Sequence, residues 1–171
     1  MRQPLHKTKI AFLIRSLACG GAERHLATLV KALDKEAFEV TVITFYGGGQ
    51  FESEVLSHKT RVICLQKLGR FEIVRFLWRL VRELRRLRPA ILYSYLVEPN
   101  VIAVLLKAPF PKLRVIWSIQ ATDMRTRQED WFQRVTFRLQ CFLSRFADLI
   151  IATSPAAPTI FLVDFMSRTS P

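Results

Sequence analysis

Apolar runs alternate along the chain with stretches whose apolar residues recur at helical spacing, and the first change of period is the sharpest. Ile10, Ala11, Phe12, Leu13 and Ile14 form a continuous apolar run, as in a central parallel strand covered on both faces. Leu26, Leu29, Val30 and Leu33 then stand at i, i+3, i+4 and i+7, which places them on one face of a helix beginning near Gly21. Between the two, Gly20 and Gly21 permit a tight turn and a close approach to the backbone. The turn is either a simple corner or a place for a phosphate, because the first N–H groups of a helix lack internal partners and carry the positive end of its dipole. Two glycines fall short of the G-x-G-x-x-G dinucleotide fingerprint. A helix terminus contributes about 0.3 to 2 kcal/mol, against about 8 kcal/mol for micromolar binding, so this turn does not hold a nucleotide sugar by itself.

The same alternation continues downstream. Val40 to Phe45 is rich in β-branched residues and predicts a second strand, followed by a glycine-rich loop, Tyr46 to Gln50, expected to be flexible. Arg61 to Leu65 predicts a third strand. Phe71 to Arg88 predicts a helix closed by Pro89, with Ile73, Leu77, Leu80, Leu84 and Leu87 on one face and Arg75, Arg79, Arg82 and Arg86 opposite. Ala90 to Ser94 predicts a fourth strand, and Asn100 to Lys107 a short helix that Asn100 caps. Arg114 to Ile119 predicts a fifth strand. A long helix from about Glu129 to Phe146 follows, with Phe132, Val135, Leu139, Phe142, Leu143 and Phe146 inward, and Leu149 to Thr153 predicts a sixth strand. Strands alternating with helices predict an α/β fold, a doubly wound parallel sheet of Rossmann-like type. Ligands of such sheets gather at the carboxyl ends of the strands, so the informative loops begin at Arg15, Tyr46, Tyr95, Gln120 and Ser154.

Composition narrows the class. A chain of 171 residues, 50% of them hydrophobic, suits one α/β domain. No stretch reaches the roughly 18 uninterrupted apolar residues of a membrane span, and the first residues lack the apolar segment of a secretory signal. Cys19, Cys64 and Cys141 lie far apart and form no ligand set with histidine, so a reducing cytoplasm and no metal are expected. The net charge of +12 attracts anionic lipid, nucleic acid or phosphorylated ligands. The arginine face of the Phe71 to Arg88 helix is either ordinary solvated surface or a surface for the inner leaflet, where each basic residue is worth about 1 kcal/mol. Nucleic acid is not expected as a partner, since no binding motif accompanies the charge.

Four segments together carry a family resemblance: Ile10 to Arg24 with its Gly20-Gly21-Ala22-Glu23-Arg24, Ala90 to Asn100, Val115 to Asp123, and Ala147 to Ser154. In order and spacing the chain resembles the N-terminal, acceptor-side half of family 4 glycosyltransferases of the GT-B fold, over about residues 8 to 154. The resemblance implies a retaining transfer of a sugar from a nucleotide diphosphate sugar to a lipid-linked or polysaccharide acceptor, without a bound metal or other cofactor. It implies that the backbone of Gly20 and Gly21 approaches the donor phosphates and sugar, offsetting charge on the departing diphosphate.

The acceptor-side candidates are Glu23, Tyr95, Glu98, Asn100, Gln120 and Asp123. Glu23 favours the helix dipole and competes with a bound anion as readily as it assists one. Tyr95 either stacks on a sugar ring or packs at the edge of the core. Glu98 and Gln120 stand where the family often has histidine; both suit polar recognition, and neither suits the family's proton transfer. Asp123 either orients an acceptor hydroxyl or caps its loop. His25 is read as structural or solvated, and His6 and His58 have no partner spacing that suggests catalysis.

The resemblance further implies a second domain that grips the donor, and nothing after Ser154 resembles it. Residues 155–171 are expected to form an aberrant or disordered tail, with Pro158 interrupting the helix that would follow and a truncation or altered reading frame just past Ser154. The complete enzyme is expected in the cytoplasm or peripherally on the inner membrane face. The rival reading is a non-catalytic module that docks on membranes or a partner. A dinucleotide-dependent enzyme is disfavoured, because Phe45 and Tyr46 stand where an acidic residue would close the second strand.

Overall fold

The computed structural model describes residues 7–58, 60–67, 72–119 and 138–152. Its elements are β1 (Thr8–Ile14), α1 (Gly21–Ala32), β2 (Phe38–Thr44), α2 (Glu52–Ser57), β3 (Arg61–Cys64), α3 (Ile73–Leu87), β4 (Ile91–Tyr95), α4 (Val97–Leu105), β5 (Arg114–Ile119) and β6 (Leu149–Ala152). The strands form one sheet in the order β3-β2-β1-β4-β5-β6, with every pairing parallel. Continuous apolar strands need cover on both sides, and the core is accordingly split in two. Leu13, Ile43, Leu92, Val115 and Trp117 face α3 and α4 on one side. Phe12, Ile14, Val42, Tyr93 and Tyr95 face α1 and α2 on the other. The chain order reverses between β1 and β4, and in doubly wound sheets the ligand crevice lies at the carboxyl ends of the strands at such a reversal.

Backbone contacts fix the turn after β1. The Arg15 carbonyl accepts from the amides of both Phe45 (3.0 Å) and Tyr46 (2.9 Å), and the Leu17 carbonyl accepts from the Phe51 amide (3.0 Å). The loop after β2 is therefore tied to the turn at Tyr46, while Tyr46 to Gln50 themselves stay exposed. Gly49, at φ +137°, lies so close that a Cβ would overlap the carbonyl group of Leu17 and the amide of Ala18.

Two helices differ from the pattern read in the sequence. α4 begins at Val97 rather than Asn100, and Leu96, at φ 73° and ψ 163°, precedes it as the N-cap. Pro99 then falls in the first turn, where its missing N–H leaves no bond unmade. In α3 the buried residues are Phe76, Leu80, Leu84 and Leu87, whereas Ile73, assigned inward, is exposed at the helix tip. Residues 138–143 are helical and a 3-10 turn, Ser144–Phe146, follows. Leu143 and Gln140 are buried there, while Leu139, Phe142 and Phe146, also assigned inward, are exposed. Leu139 and Phe142 lie in the helical residues and turn away from the buried Gln140 and Leu143, and Arg145 covers Phe142 at 3.6 Å from the ring centroid. Phe132, Val135 and residues 155–171 lie outside the described residues.

Asp148 anchors the edge strand. Its carboxylate accepts from the Val115 amide at 2.7 Å and from Lys107 Nζ at 2.8 Å. Partial burial pushes its pKa up, but these hydrogen bonds and the charges of Lys107 and Arg114 outweigh that and leave it below the ordinary value.

The packed glycine gives a direct stability test. Gly49→Ala is expected to cost about 3 kcal/mol through backbone overlap, and Gly48→Ala, at φ +77° in open space, only about 1 kcal/mol through its left-handed conformation. Urea unfolding of the two variants measures the difference.

Candidate functional site

The crevice between β1 and β4 is lined by what immediately follows each strand. After β1, Gly20 precedes α1, and its carbonyl accepts the first helical bond from the Arg24 amide at 3.1 Å. Gly20 is extended, at φ 177°, a backbone that any residue adopts. A Cβ would overlap the Glu23 carboxylate, which folds back against Gly20 and is itself buried. Glu23 thus lies at the positive end of α1, beside any anion that approaches the turn. Gly21 is exposed at the start of the helix.

Arg15 and Glu98 meet across the crevice. Arg15, the first residue after β1, places Nε at 3.2 Å from Glu98 Oε2 in the first turn of α4, and both side chains are about half-exposed. The carbonyl bonds to Phe45 and Tyr46 hold the Arg15 backbone, and Leu96, with its positive φ, stands at the start of α4. Arg15 was read in the sequence only as the start of a loop. The available signal was its position as the first polar residue after a buried strand at the reversal of strand order.

Two acceptor-side candidates belong to the core instead. Asn100 is fully buried; its Oδ1 accepts from Ser94 Oγ at 2.7 Å and its Nδ2 donates to the Ser118 carbonyl at 3.3 Å. It clamps α4 to β4 and β5 rather than capping the helix or meeting a ligand. Tyr95 is also fully buried, stacked on Tyr93 with ring centroids 4.9 Å apart, so it does not present a face to a sugar. Burial, and next the neighbouring Tyr93, push its phenol pKa upward, which keeps it protonated. Its hydroxyl lies 3.2 Å from His25 Nδ1. His25 therefore ties α1 to β4, the structural role read for it. Gln120 and Asp123 lie outside the described residues.

The arginine face of α3 is also revised. Arg75, Arg82 and Arg86 are exposed, but Arg79 turns back and donates from Nη1 to the carbonyls of Leu65 (2.9 Å) and Gln66 (3.2 Å). It ties α3 to the end of β3, where Gln66 has a positive φ of 49°, and is lost to any surface role.

Burial of His25 lowers its pKa below the ordinary 6.5. The unfolded chain takes up this proton more readily than the folded one, so the associated stability is complete above pH 6.5 and declines as pH falls through the folded pKa. His25→Gln is expected to remove this part of the acid-side decline. Urea unfolding on either side of pH 6.5 tests it, together with an NMR titration of the imidazole whose midpoint falls below that value.

The model of Glycosyltransferase Family 4 matches residues 19–160. A Campylobacter jejuni relative, GalNAc-alpha-(1->4)-GalNAc-alpha-(1->3)-diNAcBac-PP-undecaprenol alpha-1,4-N-acetyl-D-galactosaminyltransferase, is 34% identical over 139 residues, which are 75% of this chain and 37% of that protein. Among solved structures, Anabaena HepE in complex with UDP superposes with a TM-score of 0.68 at 22% identity, over 91% of this chain and 40% of that one. The UDP-GlcNAc 2-epimerase of Methanocaldococcus jannaschii gives 0.63 at 11% identity, over 93% and 43%. These structural likenesses establish the fold, which is shared by enzymes of different chemistry. The chain spans about two-fifths of the length of the proteins it resembles. A doubly wound sheet with a glycine turn at its strand reversal, matched over residues 19–160, belongs to glycosyltransferase family 4.

Proposed function

We propose that this chain forms the acceptor-side half of a retaining glycosyltransferase that moves a sugar from a nucleotide diphosphate sugar to a lipid-linked or polysaccharide acceptor. The observation that carries the reading is the braced Gly20-Gly21 turn beside the Arg15–Glu98 pair, at the one place in the sheet where strand order reverses. The lipid-linked acceptor is suggested by the name of the Campylobacter relative, and the nucleotide sugar by the UDP bound to HepE.

In this reading the backbone N–H groups of Gly20 and Gly21 face the donor and offset the charge that grows on the departing diphosphate, without a metal. Glu98 accepts a hydrogen bond from an acceptor hydroxyl while Arg15 fixes its carboxylate, and Gln120 and Asp123 add polar contacts. Glu23 tunes the turn by shielding the helix terminus from surplus anions. The donor grip comes from a second domain, so residues 1–171 alone are inactive. The enzyme works peripherally at the cytoplasmic face of the membrane, with the exposed Arg75, Arg82 and Arg86 toward anionic lipid. Those exposed arginines also favour a second reading, a non-catalytic module that docks on membranes or a partner.

Radiolabelled-sugar transfer by the enzyme completed with a donor-binding domain tests the proposal. Loss of a hydrogen bond to a charged group predicts that Glu98→Ala and Arg15→Ala each lower turnover about tenfold to a hundredfold. Transfer unchanged in both variants contradicts the assigned site. No transfer with any common donor and membrane acceptor contradicts the enzyme reading, and turnover by purified residues 1–171 contradicts the need for a second half.

A further inference from the structure

The outward face of α3 carries a cluster that the fold leaves uncovered. On that face Val74 is 81% exposed and Trp78 60%, and Ile73, on the core side by period, is 53% exposed at the helix tip beside Val74. Val74, Trp78 and Arg82 follow one another at successive turns of the helix, with the Arg82 guanidinium 5.0 Å above the Trp78 ring. Arg75, Arg85 and Arg86 are exposed on the same side. Glu72 lies 3.7 Å from Arg75 and Glu83 lies 3.7 Å from Arg82, so two acids stand against four arginines and the face remains cationic.

Charge alone does not account for the apolar residues. A solvated arginine surface has no use for a valine and a tryptophan one turn apart, and contiguous exposed apolar groups mark a contact surface. An indole with a wet edge suits the headgroup layer of a bilayer, and arginines around it suit lipid phosphates. The chain's +12 charge favours an anionic surface as the occupant, and the position of Ile73 and Val74 at the start of the helix suits a shallow insertion.

We infer that the first turns of α3 form an interfacial anchor: Ile73, Val74 and Trp78 insert among the headgroups of an anionic bilayer while the arginines engage the phosphates. This rests on the peripheral-membrane reading above and adds an inserted apolar element to it. Electrostatic attraction weakens as salt rises, whereas the inserted part does not.

Co-sedimentation of residues 1–171 with phosphatidylglycerol–phosphatidylethanolamine vesicles, at low and high salt, tests the anchor. Because the residues are exposed, the Val74→Ser, Trp78→Ser double variant is expected to unfold at the same urea concentration as the parent. It should lose about tenfold in vesicle affinity and all of the salt-resistant binding, whereas charge reversal at Arg75, Arg82 and Arg86 removes the salt-sensitive part. Brominated lipid should quench tryptophan fluorescence in the parent and not in Trp78→Phe. A double variant that binds like the parent overturns the anchor and leaves electrostatic docking standing; no binding of the parent overturns both. A monomer–dimer equilibrium abolished by the double variant, without vesicle binding, assigns the face to a second copy and overturns the anchor.

Discussion

The carbonyl of Arg15, accepting two amides from the loop after β2, is the constraint on which the crevice depends. It joins neighbouring parallel strands beyond the point where their ladder ends and leaves the turn after β1 little freedom. Gly49 closes the arrangement by bringing one backbone against another at a distance no side chain permits. Held at Arg15 and Leu17, the turn leads into α1 at Gly20 and Gly21. The glycines at 20 and 21 supply the opening, and the neighbouring loop supplies the rigidity.

The opposite wall of the crevice is built differently, from side chains. Asn100 is an amide sealed in the interior that bonds β4 and β5 at once, and it holds α4 where Glu98 meets Arg15. A buried amide left without partners is costly, so its placement is specified narrowly. His25 and Tyr95 join α1 to β4 beneath the same crevice. α1, α4 and β4, which bring groups to the crevice, are thus fixed to one another and to β5 by internal polar contacts.

Much of this was legible in the sequence. Continuous apolar runs such as Ile10 to Ile14 revealed a parallel sheet because strands covered on both faces need no alternation. The glycine turn was visible because a change of period meets two residues without side chains. Tertiary contacts escaped detection because they depend on distant partners. Arg79 belongs to the arginine stripe by periodicity, yet the open carbonyls at Leu65 and Gln66 draw it inward. Ile73 has the period of a core residue but overhangs the sheet. Asn100 resembled a cap because it opens a short apolar stretch, and only the backbone shows that the helix has already begun at Val97. Gly49 looked like one residue of a loose glycine run until Leu17 was placed beside it.

The family relationship rests on the matched residues 19–160, and the role given to the crevice rests on its geometry. A crystal structure of the complete enzyme with a nucleotide sugar and an acceptor sugar tests that role most directly. The account predicts the donor diphosphate over the N–H groups of Gly20 and Gly21 and an acceptor hydroxyl within hydrogen-bond distance of Glu98. Ligands seated away from the β1–β4 crevice, with the Arg15–Glu98 pair untouched, would contradict it.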